Sequence, residues 1–436
     1  MKRPFVHLSL IPGFAVASAL ATPLCFADAL TLQNAIEIAQ SKSPDIRQLQ
    51  EQYDSSAAKK RLALAPSEPT LLISDNDLTQ QFHLGTAATN VFQLTQPVGF
   101  PGRAVLTHAQ LSDQSDAASY QLRAMKLQVA ANVKAAYYAL QLAQKNIQLN
   151  ADTKLAYERI LEIAKRKYET GTTAQVDYLN AQVALLSNQN DLADLQTAER
   201  TARAQLNVYL KNAVDAPIEV EPIKMAYKPK IDIEDAVARM LGGRNEIKAA
   251  QSQEKAMNRA YDLAWMSILP DFQFIFGVNF YRQASASPYS GDFVDYNTTN
   301  YGSWPSHTYS VGVQLTIPLW FMFNEREVIV GAAHDRGAAE ANLDIVLNQS
   351  KVALENAVDT IHSTGEKIEN FEKHILPLSE QSLKLAMVDY GSGKINFQTL
   401  ADTATARRQA RQSYAAAVVT YLTNYATYGQ LIGEDL

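Results

Sequence analysis

The chain repeats itself, and that repetition limits the folds open to it more than any other feature. Gln93-Leu94-Thr95-Gln96-Pro97-Val98 returns as Gln314-Leu315-Thr316-Ile317-Pro318-Leu319, and Tyr168-Glu169-Thr170-Gly171 returns as Tyr390-Gly391-Ser392-Gly393, at offsets of 221 and 222 residues. Leu30-Thr31-Leu32-Gln33-Asn34-Ala35 matches Ile231-Asp232-Ile233-Glu234-Asp235-Ala236, and Pro69 matches Pro270, at an offset of 201. Each half therefore builds the same long supersecondary unit. The offset grows by about 20 residues between Pro69/Pro270 and Pro97/Pro318, so one loop is longer in the second half.

The helical signal is far longer than a globular core requires. Between Arg103 and Thr170 there is neither Gly nor Pro, and good helix formers dominate. At ~1.5 Å per residue such a run reaches about 100 Å. Leu122, Met125, Val129, Ala136, Leu140, Ala143 and Ile147 step along it as a seam for a coiled-coil neighbour, with Lys126, Gln128, Lys134, Gln141 and Lys145 expected on the opposite face. A second Gly- and Pro-free run covers Thr172 to Ala216, and a shorter helix starts with Ser43 as N-cap and Pro44 at its first position. These two are expected to stack end to end beside the long rod. In the second half the matching helices are Asn245 to Ile268, Asn324 to Asp389 and Lys394 to about Gln430. There Gly331, Gly337, Gly365 and Pro377 predict bends in the long helix.

Between the short and the long helix of each half lie two strand candidates. Phe272, Phe274, Phe276, Val278 and Phe280 alternate with Asp271, Gln273, Ile275, Gly277 and Asn279, and Tyr309, Val311, Val313, Leu315 and Ile317 alternate with Ser310, Gly312, Gln314 and Thr316. The candidates in the first half, at about 70–84 and 90–97, are weaker than those at 271–283 and 307–318. Taken alone, such alternation suits a soluble sandwich. Here the strands are too few for a sandwich, and their length suits a tilted bilayer crossing. Four strands cannot close a barrel and open edges are not tolerated in lipid, so several copies must pool their strands.

The first residues support export. Lys2 and Arg3 precede an apolar run ending at Cys25-Phe26-Ala27, the pattern of a signal peptide spanning 1–27. Cys25 is the sole cysteine; Leu24 before it is bulky where a lipidation site wants a small residue, which favours cleavage over lipidation. Loss of Lys2 and Arg3 takes the formal charge from -6 to -8, which offers nothing to nucleic acid. The remaining sequence has no apolar run of about 18 residues, so a membrane-crossing segment must be built from strands.

With these elements in order, the chain resembles the TolC-like outer-membrane efflux proteins over residues 28–436. The resemblance rests on Leu269-Pro270 before a strand, Gln314 to Leu319 leaving one, Pro377-Leu378-Ser379-Glu380-Gln381-Ser382-Leu383 before Tyr390-Gly391-Ser392-Gly393, and Tyr168 to Gly171 followed by Val176-Asp177-Tyr178-Leu179-Asn180-Ala181. It implies an α+β membrane protein with a first repeat at 28–217 and a second at 218–436. In this family tandem coiled-coil hairpins carry four strands per protomer into a homotrimeric, twelve-stranded outer-membrane barrel. It further implies a passive duct in the outer membrane of a Gram-negative cell, continued through the periplasm and served by a periplasmic adaptor and an inner-membrane transporter. The alternative is a secreted or periplasmic coiled-coil protein without a barrel.

The resemblance also marks the tips, at about 168–179 and 390–400, as the periplasmic mouth that docks the adaptor. Its candidate residues are Tyr168, Gly171, Asp177, Leu179, Tyr390, Gly393, Lys394 and Leu400. Gly171 and Gly393 follow long helices, where a Gly closes the helix in left-handed conformation. Asp177 sits where the family carries an aspartate that helps hold the mouth shut, and Lys394 is its expected partner in a latch. The second tip is counted as one residue shorter than the first, with Gln398 and Ala401 where the family often has acids and Asp402 adjacent. Neither catalysis nor a cofactor is expected: His83, His108, His307, His334, His362 and His374 are scattered, and no phosphate loop or nucleophile elbow is present. For cargo, Phe100-Pro101-Gly102-Arg103 resembles a segment of heavy-metal exporters, which ranks metal cations ahead of drugs and secreted protein last. The same four residues also suit a tight turn into the long helix. The loop from about Ala284 to Ser306, rich in Ser, Asn and Tyr, is expected to face the cell exterior.

Overall fold

The structure, a computed structural model, describes residues 29–78, 87–224, 230–281 and 306–436. The expected signal segment with Cys25, His83, and the polar loop up to residue 305 lie outside the described residues.

Two short helices open the first repeat, α1 (Leu32–Lys42) and α2 (Pro44–Leu62). Ser43 caps α2 by accepting from the Ile46 N–H at 3.4 Å, and Pro44 sits at the first turn, where its missing N–H costs nothing. Strands β1 (Thr70–Leu78) and β2 (Ala87–Pro97) lead to α3 (Arg103–Glu169), an unbroken helix of 67 residues, and α4 (Gln175–Leu210) returns along it. α2 and α4 both pack on α3, and Lys42 donates to the Leu210 carbonyl at 3.3 Å where the end of α4 meets the start of α2. The two shorter helices thus share the rod end to end.

The second repeat follows the same order: α5 (Ile233–Gly243), α6 (Asn245–Met266), β3 (Asp271–Tyr281), β4 (Ser306–Thr316), α7 (Glu325–Asn370), α8 (Leu376–Gly391) and α9 (Phe397–Ile432). The glycines do not interrupt its rod, since α7 runs through Gly331, Gly337 and Gly365 without a break. The one discontinuity is a π-helical turn, Phe371–Ile375, just before Pro377. A proline lacks the N–H of the i→i−4 ladder, and the wider turn, with the Leu376 N–H bonded to the Phe371 carbonyl, absorbs that mismatch. A glycine costs a helix only ~0.5 to 1 kcal/mol, too little to interrupt one held by packing.

The four strands form one antiparallel sheet in the order β1-β2-β3-β4. Thr70 pairs with Thr95, and Asp271 with Thr316, so offsets of 201 and 221 carry one hairpin register onto the other. β4 ends at Thr316, two residues before its expected limit. Pro318 has no N–H to donate, and the Leu319 N–H turns back to the Ile317 carbonyl at 2.9 Å. The pleat and register place Leu71, Ile73, Phe92, Leu94, Phe274, Phe276, Val311, Val313 and Leu315 on one face, and mostly polar or small residues such as Ser74, Gln93, Thr95, Gly277, Ser310 and Gln314 on the other.

Below the sheet the core lies between helices. One cluster joins α1, α3 and α4 around Ala35, Val133, Leu140 and Leu206, and its repeat counterpart joins α5, α7 and α9 around Met240, Leu354 and Ile432. The seam on α3 is buried at Leu122, Val129, Ala136, Leu140 and Ala143. Lys126, Gln128 and Lys145 are exposed as the pattern requires, whereas Lys134 and Gln141 are buried. They belong to the interior because the chain ends and the inter-repeat linker wrap α3 at that level. Lys134 Nζ binds Asp435 Oδ1 and the Leu436 carbonyl at 2.6 Å each, and Gln141 Nε2 donates to the Glu221 carbonyl. Tyr137 Oη donates to the Leu30 carbonyl at 2.7 Å and accepts from the Glu221 N–H at 3.2 Å, pinning both segments to the rod.

Candidate functional site

Both helical tips close by the same backbone device. The Gly171 N–H bonds the Tyr168 carbonyl at 3.0 Å and the Thr172 N–H bonds the Lys167 carbonyl at 2.8 Å; Gly393 to Tyr390 at 3.1 Å and Lys394 to Asp389 at 2.9 Å repeat the pair. This double closure needs a left-handed residue, and φ is 68° at Gly171 and 80° at Gly393. The returning helices start at Gln175 and Phe397, at equal distances from the two glycines, so the tips have equal length. In this register Thr399 is the counterpart of Asp177, Leu400 that of Tyr178, and Ala401 that of Leu179. Counting by the leucines had placed the second tip one residue short.

The two tips pack on each other. Tyr157, Ile160 and Ala164 of α3, Ala181 of α4, Leu383 and Tyr390 of α8, and Phe397 and Leu400 of α9 form one buried cluster. Tyr390 meets Phe397 edge to face at 6.0 Å, and Tyr168 stacks on Tyr178 at 6.0 Å, closing each hairpin with an aromatic pair. Tyr168 and Leu179 are exposed, as are Gly171, Gly393 and Lys394, whereas Leu400 and Tyr390 are buried.

The expected Asp177–Lys394 latch does not form within the protomer. Lys394 pairs with Asp389, 3.5 Å away in its own turn, and Asp177 accepts from the Thr173 hydroxyl. The link between tips comes instead from Lys167, one residue before the matched Tyr168. Its Nζ donates to the Tyr390 carbonyl at 2.6 Å and lies 4.5 Å from the Tyr390 ring centroid. Burial pushes the Tyr390 phenol up from its ordinary value; the Thr173 hydroxyl opposes that shift and the Asp177 carboxylate adds to it.

Farther along the helices from the tips, three arginines of α9 tie the repeats together. Arg407 grips Glu380 of α8 through Nε at 2.6 Å and Nη2 at 3.1 Å, Arg408 reaches Asp191 of α4 at 2.9 Å, and Arg411 bridges Asp152 of α3 at 3.0 Å and Glu380 at 3.3 Å. These hydrogen bonds, Arg407's first, hold the Glu380 carboxyl below the usual carboxylate range. Sequence reasoning missed them, although three arginines within five residues of a helix mark such a face.

At the junction of sheet and rod, Phe100-Pro101-Gly102-Arg103 builds a turn. Gly99 and Gly102 take φ of 66° and 91°, Arg103 Nη1 contacts Asp271 Oδ1 and Oδ2 at 2.6 and 2.8 Å, and Nη2 donates to the Met266 carbonyl at 2.8 Å. The Phe100 N–H adds a bond to Asp271 Oδ1 at 3.2 Å. This segment, first weighed as a sign of metal cargo, locks the start of α3 to the start of β3.

The sheet presents its apolar face without cover: Val311 is 76% and Tyr309 74% exposed, with Leu71, Ile73, Phe276 and Val313 also exposed. A cluster of Leu319, Trp320, Phe321, Met322 and Phe323 lies exposed at the rod end of β4. Such a face, with an aromatic girdle at one rim, suits lipid. No described helix is long and apolar enough to cross a membrane, and the described residues contain no His, Cys, Asp and Glu group able to hold a metal.

A family model described as outer membrane efflux protein matches residues 35–210. Protein CyaE of Bordetella pertussis is 28% identical over 345 residues, 76% of this chain and 68% of that protein. In three dimensions the chain is similar to the outer-membrane channel OprN, with a TM-score of 0.75 at 16% identity over 92% of this chain and 89% of that one. VceC of Vibrio cholerae gives 0.75 at 15% identity, covering 92% and 96%, and CmeC of Campylobacter jejuni gives 0.71 at 15% identity, covering 98% and 94%. A first repeat that fits the family model, a fold shared with outer-membrane channels along nearly its whole length, and an uncovered apolar sheet on a helical rod make this chain similar to the TolC-like outer-membrane efflux proteins and give it their fold.

Proposed function

We propose that the protein works as a homotrimeric passive duct, in which three sheets close one barrel and the helices continue it as a tunnel. The observation that carries this reading is the four-stranded sheet with two free edges and one uncovered apolar face. Backbone groups at open edges in hydrocarbon cost several kcal/mol each, so closure with further copies is the stable outcome. The polar face then lines the lumen. Solute enters from an inner-membrane transporter by way of a periplasmic adaptor seated on the tips around Gly171 and Gly393.

The cargo is a small solute, a metal cation or a drug. In the Phe100 to Arg103 segment Arg103 pairs with Asp271, a structural role that does not discriminate between the two classes. Deleting the protein and challenging cells with a panel of metals and drugs tests the duct and assigns the class. Sensitisation to either class, reversed by the intact gene, is expected. Protein that washes out of membranes with carbonate, as a soluble coiled coil would, sinks the duct.

A further inference from the structure

We infer that the junction of α5 and α6 is an anion cradle, a binding site for a small soluble molecule that carries a di- or polyphosphate group. It goes beyond the duct and does not require it, since every residue involved belongs to one protomer.

A cavity of about 620 Å³ opens where α3, α5, α6 and the end of α9 meet. Arg123 and Lys126 line it from α3, Arg239 from α5 and Lys248 from α6, against one acid, Glu434. Arg239 holds Glu434 at 2.5 Å, whereas Arg123, Lys126 and Lys248 have no acidic partner among the described residues. Three uncompensated cations around one cavity, on a chain whose formal charge is -6, repel one another until an anion enters. The backbone adds donors. α6 starts without a side-chain cap, so the N–H groups of its first turn keep no intrahelical acceptor. Asn245, its first residue, lines the cavity, is 8% exposed and makes no side-chain hydrogen bond among the described residues. Beside it, Arg244 leaves Nη1 buried and unpartnered. Gly242 and Gly243 also line the cavity: a Cβ at Gly242 would meet open space, while one at Gly243 would strike the Ile432 carbonyl oxygen. Bare backbone at a helix start, ringed by Arg and Lys, is an arrangement that holds phosphate.

The first repeat shows that the fold does not need these residues. An offset of 201 carries Arg244 onto Ser43, Asn245 onto Pro44 and Arg239 onto Ile38. The backbone turns alike at both junctions, with φ and ψ of -66° and 123° at Ser43 and of -63° and 120° at Arg244. Yet Ser43 caps α2 through the Ile46 N–H, and Pro44 removes one N–H altogether. The same junction is thus sealed in one repeat and left open and basic in the other. Size and place select the ligand. The volume falls within the ~300 to 1,000 Å³ of ligand pockets, more than a lone phosphate fills, and Leu127 and Ile432 offer apolar contact to an organic body. Arg123 lies about 30 Å along α3 from Arg103 at the sheet junction. Headgroups around a membrane-borne sheet end short of that point, so the occupant is a free molecule and not a lipid.

Calorimetric titration of the purified protein in uncharged detergent with inorganic pyrophosphate, at fixed ionic strength, tests the cradle. One pyrophosphate per protomer is expected. Lys126→Gln with Lys248→Gln should weaken binding about tenfold or more, because each lysine gives up a charged hydrogen bond to the ligand. Gly242→Glu, which sets a carboxylate in the open space of the cavity, should abolish it. Lys145→Gln, at an exposed lysine elsewhere on α3, should bind as the parent does. Absence of saturable binding, or an affinity unchanged in the double lysine variant, overturns the site. Citrate bound as tightly as pyrophosphate overturns the phosphate class. A chain that binds pyrophosphate in this pattern yet is monomeric in mild detergent overturns the duct and leaves the cradle standing.

Discussion

Lys167→Ala should open the mouth. The substitution removes the hydrogen bond from Nζ to the Tyr390 carbonyl at 2.6 Å and the cation held 4.5 Å from the Tyr390 ring. A hydrogen bond from a charged donor contributes ~1.5 to 3 kcal/mol, and the low end applies because the Tyr390 carbonyl keeps the Gly393 N–H at 3.1 Å. The ring contact adds ~0.5 to 1 kcal/mol at a partly exposed site. The loss of about 2 kcal/mol per protomer shifts the balance between joined and separated tips by roughly 30-fold, since ~1.4 kcal/mol is tenfold. Single-channel conductance in planar bilayers reads this as longer or larger open states, and intact cells read it as entry of large antibiotics. Lys394→Ala is the matched control. Its partner Asp389 lies in the same turn, the pair is exposed and worth ~0.2 to 1 kcal/mol, and breaking it separates nothing. If Lys394→Ala opens the channel while an assembled Lys167→Ala trimer conducts as the parent does, the assignment of the link to Lys167 is refuted.

Arg103→Ala and Asp271→Ala should each destabilise the protein by about 1 to 2 kcal/mol, discounted for their partial exposure, and the double variant should cost little more than either alone; heat dissociation of the oligomer on gels measures the coupling. Val313→Arg, on the uncovered apolar face, should cost ~2 to 4 kcal/mol if it lies near the bilayer midplane and deplete the protein from outer membranes, whereas Gln314→Arg on the opposite face should leave assembly intact and alter ion selectivity. The Glu380 carboxyl titrates below its ordinary value of 4.5, so its contribution to stability is complete above about that pH and is lost as pH falls through the lower folded value; Glu380→Gln should flatten this part of an acid-denaturation curve. A tag inserted at Asn297 should be reachable on intact cells, and labelling only after the outer membrane is broken would invert the topology.

Most of the architecture was legible because it follows from spacing. A long Gly- and Pro-free run becomes α3, Ser43-Pro44 becomes a capped helix start, and period-two alternation becomes β3 and β4. The errors fell where local propensity competes with packing. Gly331, Gly337 and Gly365 read as bends, yet α7 continues through all three, and Gly365 has Tyr421 beside it. Lys134 and Gln141 read as solvent-facing because their polarity is local, while the carbonyls and the carboxylate that satisfy them come from residues 80 to 302 positions away. Period alone does not reveal that a chain end or linker will cover a polar face.

The tips show the same limit more sharply. Gly171 and Gly393 were legible since a left-handed helix end asks for glycine. The ionic partners were not, because charge counting pairs Asp177 with Lys394 as the acid and base nearest in the two tips, while geometry sends each to a neighbour in its own turn. A side chain at a helix end reaches backward over the preceding turn, so the residue able to cross is the one on the flank that faces the other hairpin. Lys167 has that place, and its acceptor is a backbone carbonyl, to which a scan of side-chain charges is blind. The duplication would have supplied a check: the counterpart of Lys167 is Asp389, so the crossing cation exists in one repeat only. Two hairpins descended from one sequence thus meet through unlike residues, with the Lys167 link lying beside the buried cluster around Ile160, Ala181, Tyr390 and Leu400.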